Sequence, residues 1–190
     1  PNSATISADK MNVVYRGVTN PITISFAGIS ADKVSASAPG MSSAGKPGSY
    51  KMNPGSGKEV VINVTGTLPD NSKVSDKKVF RIKSIPAPVG AIGKQMGVVK
   101  GAKSRLEAST ISAEMVDFDF QVNIRVTDFS LKVTGMPTVV VHGDRVNAQC
   151  KAALARAGRG DQVTISDIKT KLEGSDIILA HTAPVIYEIQ

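Results

Sequence analysis

The sequence predicts a mainly β protein with two tandem domains, an Ig-like β-sandwich followed by a β-rich domain with one α-helix. Turn-forming residues recur at short intervals in the first half, two prolines interrupt the chain near residue 86, and apolar and polar residues alternate strictly through residues 116–126. The 190 residues are 41% hydrophobic and 21% charged, as is typical of globular domains. No apolar run approaches the roughly 20 residues that span a bilayer. The chain opens at Pro1 without an initiator methionine, so we expect an excised piece of a longer protein or a processed product.

The first half contains short β-prone runs between its turns. Six or so short strands at this spacing are typical of a β-sandwich. The clearest predicted strands are residues 11–15, 22–26, 33–38, 59–65 and 74–85. The chain has no tryptophan, and its single cysteine is Cys150. The disulfide-and-tryptophan core of antibody domains is therefore excluded, and "Ig-like" refers to the architecture only.

A domain boundary is predicted at residues 85–90, which contain Pro86 and Pro88. Proline cannot donate a ladder hydrogen bond, and it biases the preceding residue toward extended geometry. Such a segment forms a short and fairly stiff connector. We therefore expect an Ig-like β-sandwich over residues 1–86 and a second, β-rich domain over residues 87–190.

The alternating segment is the most informative part of the second half. Its apolar positions are Val116, Phe118, Phe120, Val122, Ile124 and Val126. The period of two predicts a strand with one buried face, and the apolar positions become odd-numbered at Phe129. A single strand from Val116 to Val133 would have 18 residues, which is too long for an ordinary strand. We therefore predict a β-bulge or bend at residues 127–128. A hairpin there is less favoured, because it would lack the usual glycine or asparagine. Because exposed strand edges recruit partners, these residues are the predicted dimer or partner strand.

The remaining elements follow from changes in period. Residues 138–142 predict a buried strand, and an apolar stripe with period 3.6 then predicts the one helix, from about Arg145 to Ala157. Asp144 is the expected N-cap, and Gly158 is the expected stop. Further strands are predicted at residues 163–165, 177–180 and 185–189.

Charge and cysteine content narrow the function classes. The net charge is +7, but the cations are scattered along the chain or alternate with apolar residues as on a solvated strand, so no nucleic-acid partner is expected. The lone Cys150 excludes an intrachain disulfide and is interpreted as a small buried hydrophobe. Two histidines are too few for a zinc site without cysteine support. No cofactor or metal residues are assigned.

Three motifs that could support chemistry are weak. Residues 97–104 lack the glycine and lysine spacing of a phosphate-binding loop. Asp117 and Asp119 share a strand face and are interpreted as solvated carboxylates. His142 precedes a glycine turn and a helix cap, and no nucleophile motif accompanies it. A hydrolase that uses His142 therefore remains only an alternative, and we predict no catalytic residues and no enzyme activity.

The sequence resembles the C-terminal periplasmic part of the GldM family of the gliding-motility and type IX secretion machinery, called PorM in non-gliding relatives. The most distinctive matching segment is ISADKMNVVYRGVTNPI at residues 6–22. The others are FRIKSIPAP at 80–88, VDFDF at 116–120, GDQVTISDIK at 160–169, and the ending at 185–190. They keep the expected order and are spread over essentially the whole chain.

This resemblance implies partners and a location. It implies a periplasmic homodimer whose inner-membrane anchor, absent from this chain, pairs with a proton-driven motor partner. It also implies that residues 1–86 are a spacer domain and that residues 87–190 are the distal docking domain, which contacts the outer-membrane-associated ring proteins, the K and N components. The leading hypothesis is a non-enzymatic component that transmits energy from the motor to the ring. The alternative is a surface adhesion or ligand-binding module of tandem β-domains.

Overall fold

The structure, a computed structural model, describes residues 4–8 and 12–190. The chain is mainly β, and it divides into two compact units, Pro1–Ile85 and Pro86–Gln190. Residues 84–88 form neither helix nor strand. The division therefore falls within the proline-containing segment.

The first unit is a sandwich of two four-stranded sheets, with strand orders β1-β3-β6-β5 and β2-β8-β7-β4. A single turn of 3-10 helix, Ala31–Lys33, precedes β4. The strands are β1 Ala4–Ala8, β2 Val13–Tyr15, β3 Asn20–Phe26, β4 Val34–Ser37, β5 Met41–Ser43, β6 Ser49–Met52, β7 Glu59–Thr67 and β8 Lys73–Lys83.

The core of the first unit follows the predicted alternation. Ile22, Ile24 and Phe26 of β3 are buried while the residues between them are exposed. Phe80 of β8 is fully buried in the same cluster. The predicted strand at 11–15 is Val13–Tyr15, and Met11 lies outside the described residues. Strands β5 and β6 were not predicted, since each has only three or four residues between turns.

The second unit contains a five-stranded sheet, ordered β11-β16-β15-β13-β14, and a three-stranded sheet, ordered β10-β9-β12. Its strands are β9 Val89–Ile92, β10 Gln95–Met96, β11 Val98–Gly101, β12 Ile111–Glu114, β13 Ile124–Val133, β14 Val139–Val141, β15 Gln162–Leu172 and β16 Val185–Ile189. Two short helices accompany them, α1 Lys103–Glu107 and α2 Ala148–Leu154.

The ladder between β13 and β15 is irregular at the predicted position. The register shifts between Val126 and Asp128, which confirms the predicted bulge, and it shifts again between Asp128 and Ser130. In β15, Asp167 has a φ of 47°, a left-handed conformation that is uncommon outside glycine. Buried residues are odd-numbered before Asp167 and even-numbered after it. At these two irregularities, the side chains that face the core thus change from even-numbered to odd-numbered positions in β13 and from odd-numbered to even-numbered positions in β15.

The predicted strand over residues 116–126 is wrong for most of its length. Residues 115–123 form neither helix nor strand, and β13 begins only at Ile124. Ile124 lies opposite Leu172, which is the last residue of β15. Beyond this pair the Glu173 amide donates to the Asn123 carbonyl, but the ladder does not extend over residues 115–122.

The main helix is shorter than predicted. Asp144 is not its N-cap, because residues 144–146 make backbone hydrogen bonds with residues 109–111 instead. Asn147 is the N-cap, and its side chain accepts from the Cys150 amide. At the other end, the Lys103 ammonium donates to the carbonyls of Leu154 and Ala157, as expected of a cation at a helix C-terminus.

Two further strand predictions in the second unit need correction. The run at 138–142 is not a buried strand but the edge strand β14, in which Val141 is buried and Val140 is 55% exposed. Residues 177–180 form no strand. In the five-stranded sheet, β16 already has β11 on one side and β15 on the other.

Candidate binding site

The predicted partner-strand residues are only partly brought together. Ile124 and Val126 lie in β13, and Val126 is buried. Val116 is exposed, whereas Phe118, Phe120 and Val122 are half-buried. The rings of Phe118 and Phe120 pack with their centroids 5.1 Å apart. The strand geometry is thus limited to the last two residues, and the interface role stays a prediction.

A cavity of about 460 Å³ lies beside the irregular ladder in the second unit. Its walls come from the bulged parts of β13 and β15, from the edge strand β14, and from residues 178–182, which follow β15 in the chain. The volume is in the range of small-molecule and peptide-side-chain sites, roughly 300–1,000 Å³. Sequence reasoning did not find this site, because it is formed by bulges and a loop.

Both histidines of the chain line this cavity. His142 Nδ1 lies 2.7 Å from Asp128 Oδ1, and the histidine side chain is 84% exposed. The hydrogen bond with His142, followed by that with Thr127, lowers the pKa of the Asp128 carboxyl from its ordinary value. Because the His142 side chain is so exposed, the pair is expected to contribute little to stability.

The lowered pKa of Asp128 predicts how stability responds to acid. A carboxyl with a depressed folded-state pKa stabilises the protein above its unfolded pKa, about 3.9, and loses that contribution as the pH falls through the folded value. We expect Asp128→Asn to melt below the wild type at neutral pH, with the difference closing as the pH falls below about 4. Thermal melts at several pH values check this, and a difference independent of pH would contradict it.

Thr182 is an unusual member of the cavity wall. Its residue is 3% exposed, and its hydroxyl Oγ1 is buried without a hydrogen-bond partner among the described residues. Leaving a buried hydroxyl unpaired costs about 1–3 kcal/mol. The hydroxyl therefore lowers the stability of this part of the wall.

Replacing Thr182 with valine tests this cost directly. Valine keeps the branched shape and removes the unpaired oxygen, so we expect Thr182→Val to stabilise the free protein by about 1 kcal/mol. Urea unfolding measures the change in the free energy of unfolding, provided that its dependence on urea concentration (the m-value) is the same in both proteins. A matched Thr170→Val variant, altered at a half-exposed threonine of the same cavity wall, should change stability much less. Destabilisation by Thr182→Val would contradict this account, because it would show that the Thr182 hydroxyl has a partner.

The geometry gives little support to the alternative chemistry. Within the described residues, His142 has the Asp128 carboxylate as its only polar side-chain partner, so no hydroxyl or thiol is held against its ring. No group of three His, Cys, Asp or Glu side chains in residues 4–8 and 12–190 could hold a metal ion. Cys150 is buried as predicted, and burial raises the pKa of its thiol. Asp117, with a φ of 53°, lies outside any strand.

Residues 97–104, which were compared with a phosphate-binding loop, are part of the regular secondary structure of the second unit. They form β11 and the start of α1. Within the described part of the chain, no helix is both long enough and apolar enough to cross a bilayer. The fold and site thus define a tandem β-domain protein with a ligand-sized cavity in its second domain.

Comparison with known proteins identifies the family. The profile of the GldM third domain matches residues 3–83, and that of the GldM C-terminal domain matches residues 86–190. The chain therefore belongs to the GldM family, among the components of the gliding-motility and type IX secretion machinery. No curated protein matches the chain.

Similar solved structures are distant. The fibronectin(III)-like modules of Clostridium thermocellum CbhA are 13% identical over 97% of this chain and 93% of theirs, with a TM-score of 0.35. Cadherin domains 3–6 of protocadherin gamma B2 are 12% identical over 99% of this chain and 50% of theirs, with a TM-score of 0.32.

Proposed function

We propose that this chain is the distal, periplasmic and non-enzymatic part of a transmission element that carries energy from a proton-driven inner-membrane motor to the outer-membrane-associated ring. The match of both GldM domains, in order and over nearly the whole chain, carries this proposal. Two β units with separate hydrophobic cores, joined at a proline-containing segment, support it. Stiff modules with short connectors are what force transmission requires.

The proposed partners are the K and N ring proteins, bound by the second unit, and the motor partner, bound through an anchor segment of the full-length protein. Affinity capture tests the first of these. The 190-residue chain is immobilised and exposed to a detergent-solubilised envelope fraction, and bound proteins are identified by mass spectrometry. Recovery of the K and N proteins supports the proposal. Recovery of glycans or secreted ligands with neither ring protein would favour the adhesion module instead.

We also propose that the chain is a homodimer in which residues 116–123 pair with the partner copy. These residues have the alternation of a strand, and they lead directly into β13, which begins at Ile124. A second copy can lie alongside such a segment, as in strand addition.

Proline at Val122 tests this pairing. Val122 lies outside any strand in the single chain, so Val122→Pro should leave the melting temperature of the monomer almost unchanged. It removes a ladder donor, so the dimer should dissociate in sedimentation equilibrium. Glu59→Pro, at the first residue of β7 on the first unit, is the control that should leave the dimer intact. A Val122→Pro protein that remains dimeric would contradict the pairing.

A further inference from the structure

One face of the sheet ordered β2-β8-β7-β4 in the first unit is turned away from the core. Even-numbered residues of β7 are buried, and so are Phe80 and Ile82 of β8. Because successive side chains of a strand point to opposite faces, the odd-numbered residues of both strands form the outer face. We call this surface the cationic face, because its exposed positions on β8 are Lys73, Ser75, Lys77, Val79, Arg81 and Lys83. Its four cations extend over about 33 Å along the strand.

The neighbouring strand does not neutralise these cations. Across the ladder, Lys77 lies opposite Asn63, and Arg81 lies opposite Glu59. Glu59 is the only carboxylate at the odd-numbered positions of β7 and β8, both of which the structure describes in full. Within the described part of the chain, none of the four cations makes an ion pair. The cationic face therefore carries an uncompensated positive potential.

The positive charge of the chain is concentrated in the same unit. Residues 1–85 contain 11 lysines and arginines against 5 aspartates and glutamates, a net charge of +6. Residues 86–190 contain 12 against 11, so they contribute only +1 of the total of +7. The field that attracts an acidic partner thus comes from the first unit.

Two exposed valines lie within the cationic face. Val61 is 38% exposed and Val79 is 49% exposed, and the two lie directly opposite each other in the ladder. On β8, Lys77 and Arg81 are the outward residues on either side of Val79. An apolar centre with a polar rim is typical of a protein–protein interface.

The composition of this face favours a protein over other polyanions. The outward positions of β7 and β8 hold no aromatic side chain. Surfaces that bind single-stranded nucleic acids stack bases on aromatic rings, and elements that bind membranes insert tryptophan, phenylalanine or leucine. The cationic face offers neither, and its apolar contact is limited to the valine pair.

We propose that the cationic face binds an acidic segment of a partner protein that carries an aliphatic residue between its carboxylates. The carboxylates pair with the lysines and with Arg81, and the aliphatic residue contacts Val61 and Val79. The side-chain amide of Asn63 donates to a carbonyl of the segment. This contact adds to the proposed function, because it belongs to the first unit, whereas the proposed ring contacts belong to the second.

The test uses the whole 190-residue chain and a phage-displayed library of random dodecapeptides at low ionic strength. An extended dodecapeptide is about 40 Å long, which is enough to cover the four cations. We expect enrichment of peptides with several acidic residues around an aliphatic one. Their binding, measured by fluorescence anisotropy, should weaken about tenfold or more in the double variant Lys77→Glu, Arg81→Glu. It should also weaken as salt is added.

Two further double variants separate the face from the net charge. Lys46→Glu with Lys51→Glu changes the charge of the same unit equally, but Lys51 lies on β6 of the other sheet and Lys46 lies in the loop before it. This control should bind the peptides nearly as the wild type does. Val61→Ala with Val79→Ala keeps every charge and should weaken binding about tenfold or more. All of these positions are exposed or half-buried, and thermal melts should show that the variants stay folded.

Three outcomes would overturn the proposal. The first is a screen that enriches no acidic peptides. The second is an equal loss of binding in the two charge-reversal variants, which would show attraction by net charge alone. The third is peptide binding that persists in the valine double variant while phosphatidylglycerol vesicles or double-stranded DNA bind through Lys77 and Arg81, which would identify a general polyanion surface.

Discussion

Phe80→Ala is expected to destabilise the first unit by about 3–5 kcal/mol. Phe80 is fully buried in the first core, where it lies opposite Val60 of β7. Truncation removes the apolar surface that the ring buries. It also leaves a cavity between the two sheets, which the closely packed neighbouring side chains cannot fill. Urea denaturation followed by circular dichroism measures the loss. The total stability of a domain is about 5–15 kcal/mol, so the variant should be close to unfolding at moderate temperature.

The neighbouring residue is the control for Phe80. Val79 points to the other face of the same strand and is 49% exposed. Val79→Ala should therefore change stability by less than about 1 kcal/mol. Similar losses for the two variants would show that β8 does not present Phe80 to the core in the observed register.

Asn20→Ala is expected to cost about 2–4 kcal/mol. The Asn20 side chain is buried, and its amide donates to the carbonyls of Tyr15, Val18 and Met52 while its Oδ1 accepts from the Tyr15 amide. It thereby joins the end of β2 to β3 and β6. Alanine removes three part-buried hydrogen bonds and leaves the buried Met52 carbonyl without this donor, which costs more than the loss of that bond itself.

Two comparisons separate this effect from a simple loss of packing. Asn20→Asp keeps the acceptor oxygens but loses the donors and buries a charge, so it should be at least as destabilising as alanine. Asn63→Ala, at an exposed position of β7, should be nearly neutral. Thermal unfolding of the three variants measures these differences, and a stable Asn20→Ala protein would contradict the bridging role.

The sequence predicted the parts of the fold in which the local pattern and the neighbouring strands agree. The alternation in β3 places Ile22, Ile24 and Phe26 in the core as expected, because β1 and β6 flank that strand. The bulge at residues 127–128 was readable as a change of parity. The chain's membership of the GldM family was likewise visible in segments spread over both domains.

The failures arise where a strand-like pattern has no neighbour. Residues 116–123 alternate, yet the ladder between β13 and β15 ends at Ile124 and Leu172 and does not extend over them. Residues 177–180 are apolar, yet they join no ladder. Periodicity reports which face suits burial but not which strand lies alongside. For the same reason the cavity was not predicted, since it depends on the register shifts around Asp128 and on the position of residues 178–182.

The proposed transmission of energy through the chain requires a stiff connection between its domains. The most direct test inserts a flexible Gly-Ser segment between Ile85 and Pro86 of the full-length protein and measures type IX secretion in cells. The same insertion in the turn between β5 and β6 is the control. Force transmission predicts that the connector insertion abolishes secretion while the protein still captures the ring proteins, and that the control secretes normally. Normal secretion with the connector insertion would contradict transmission through this chain.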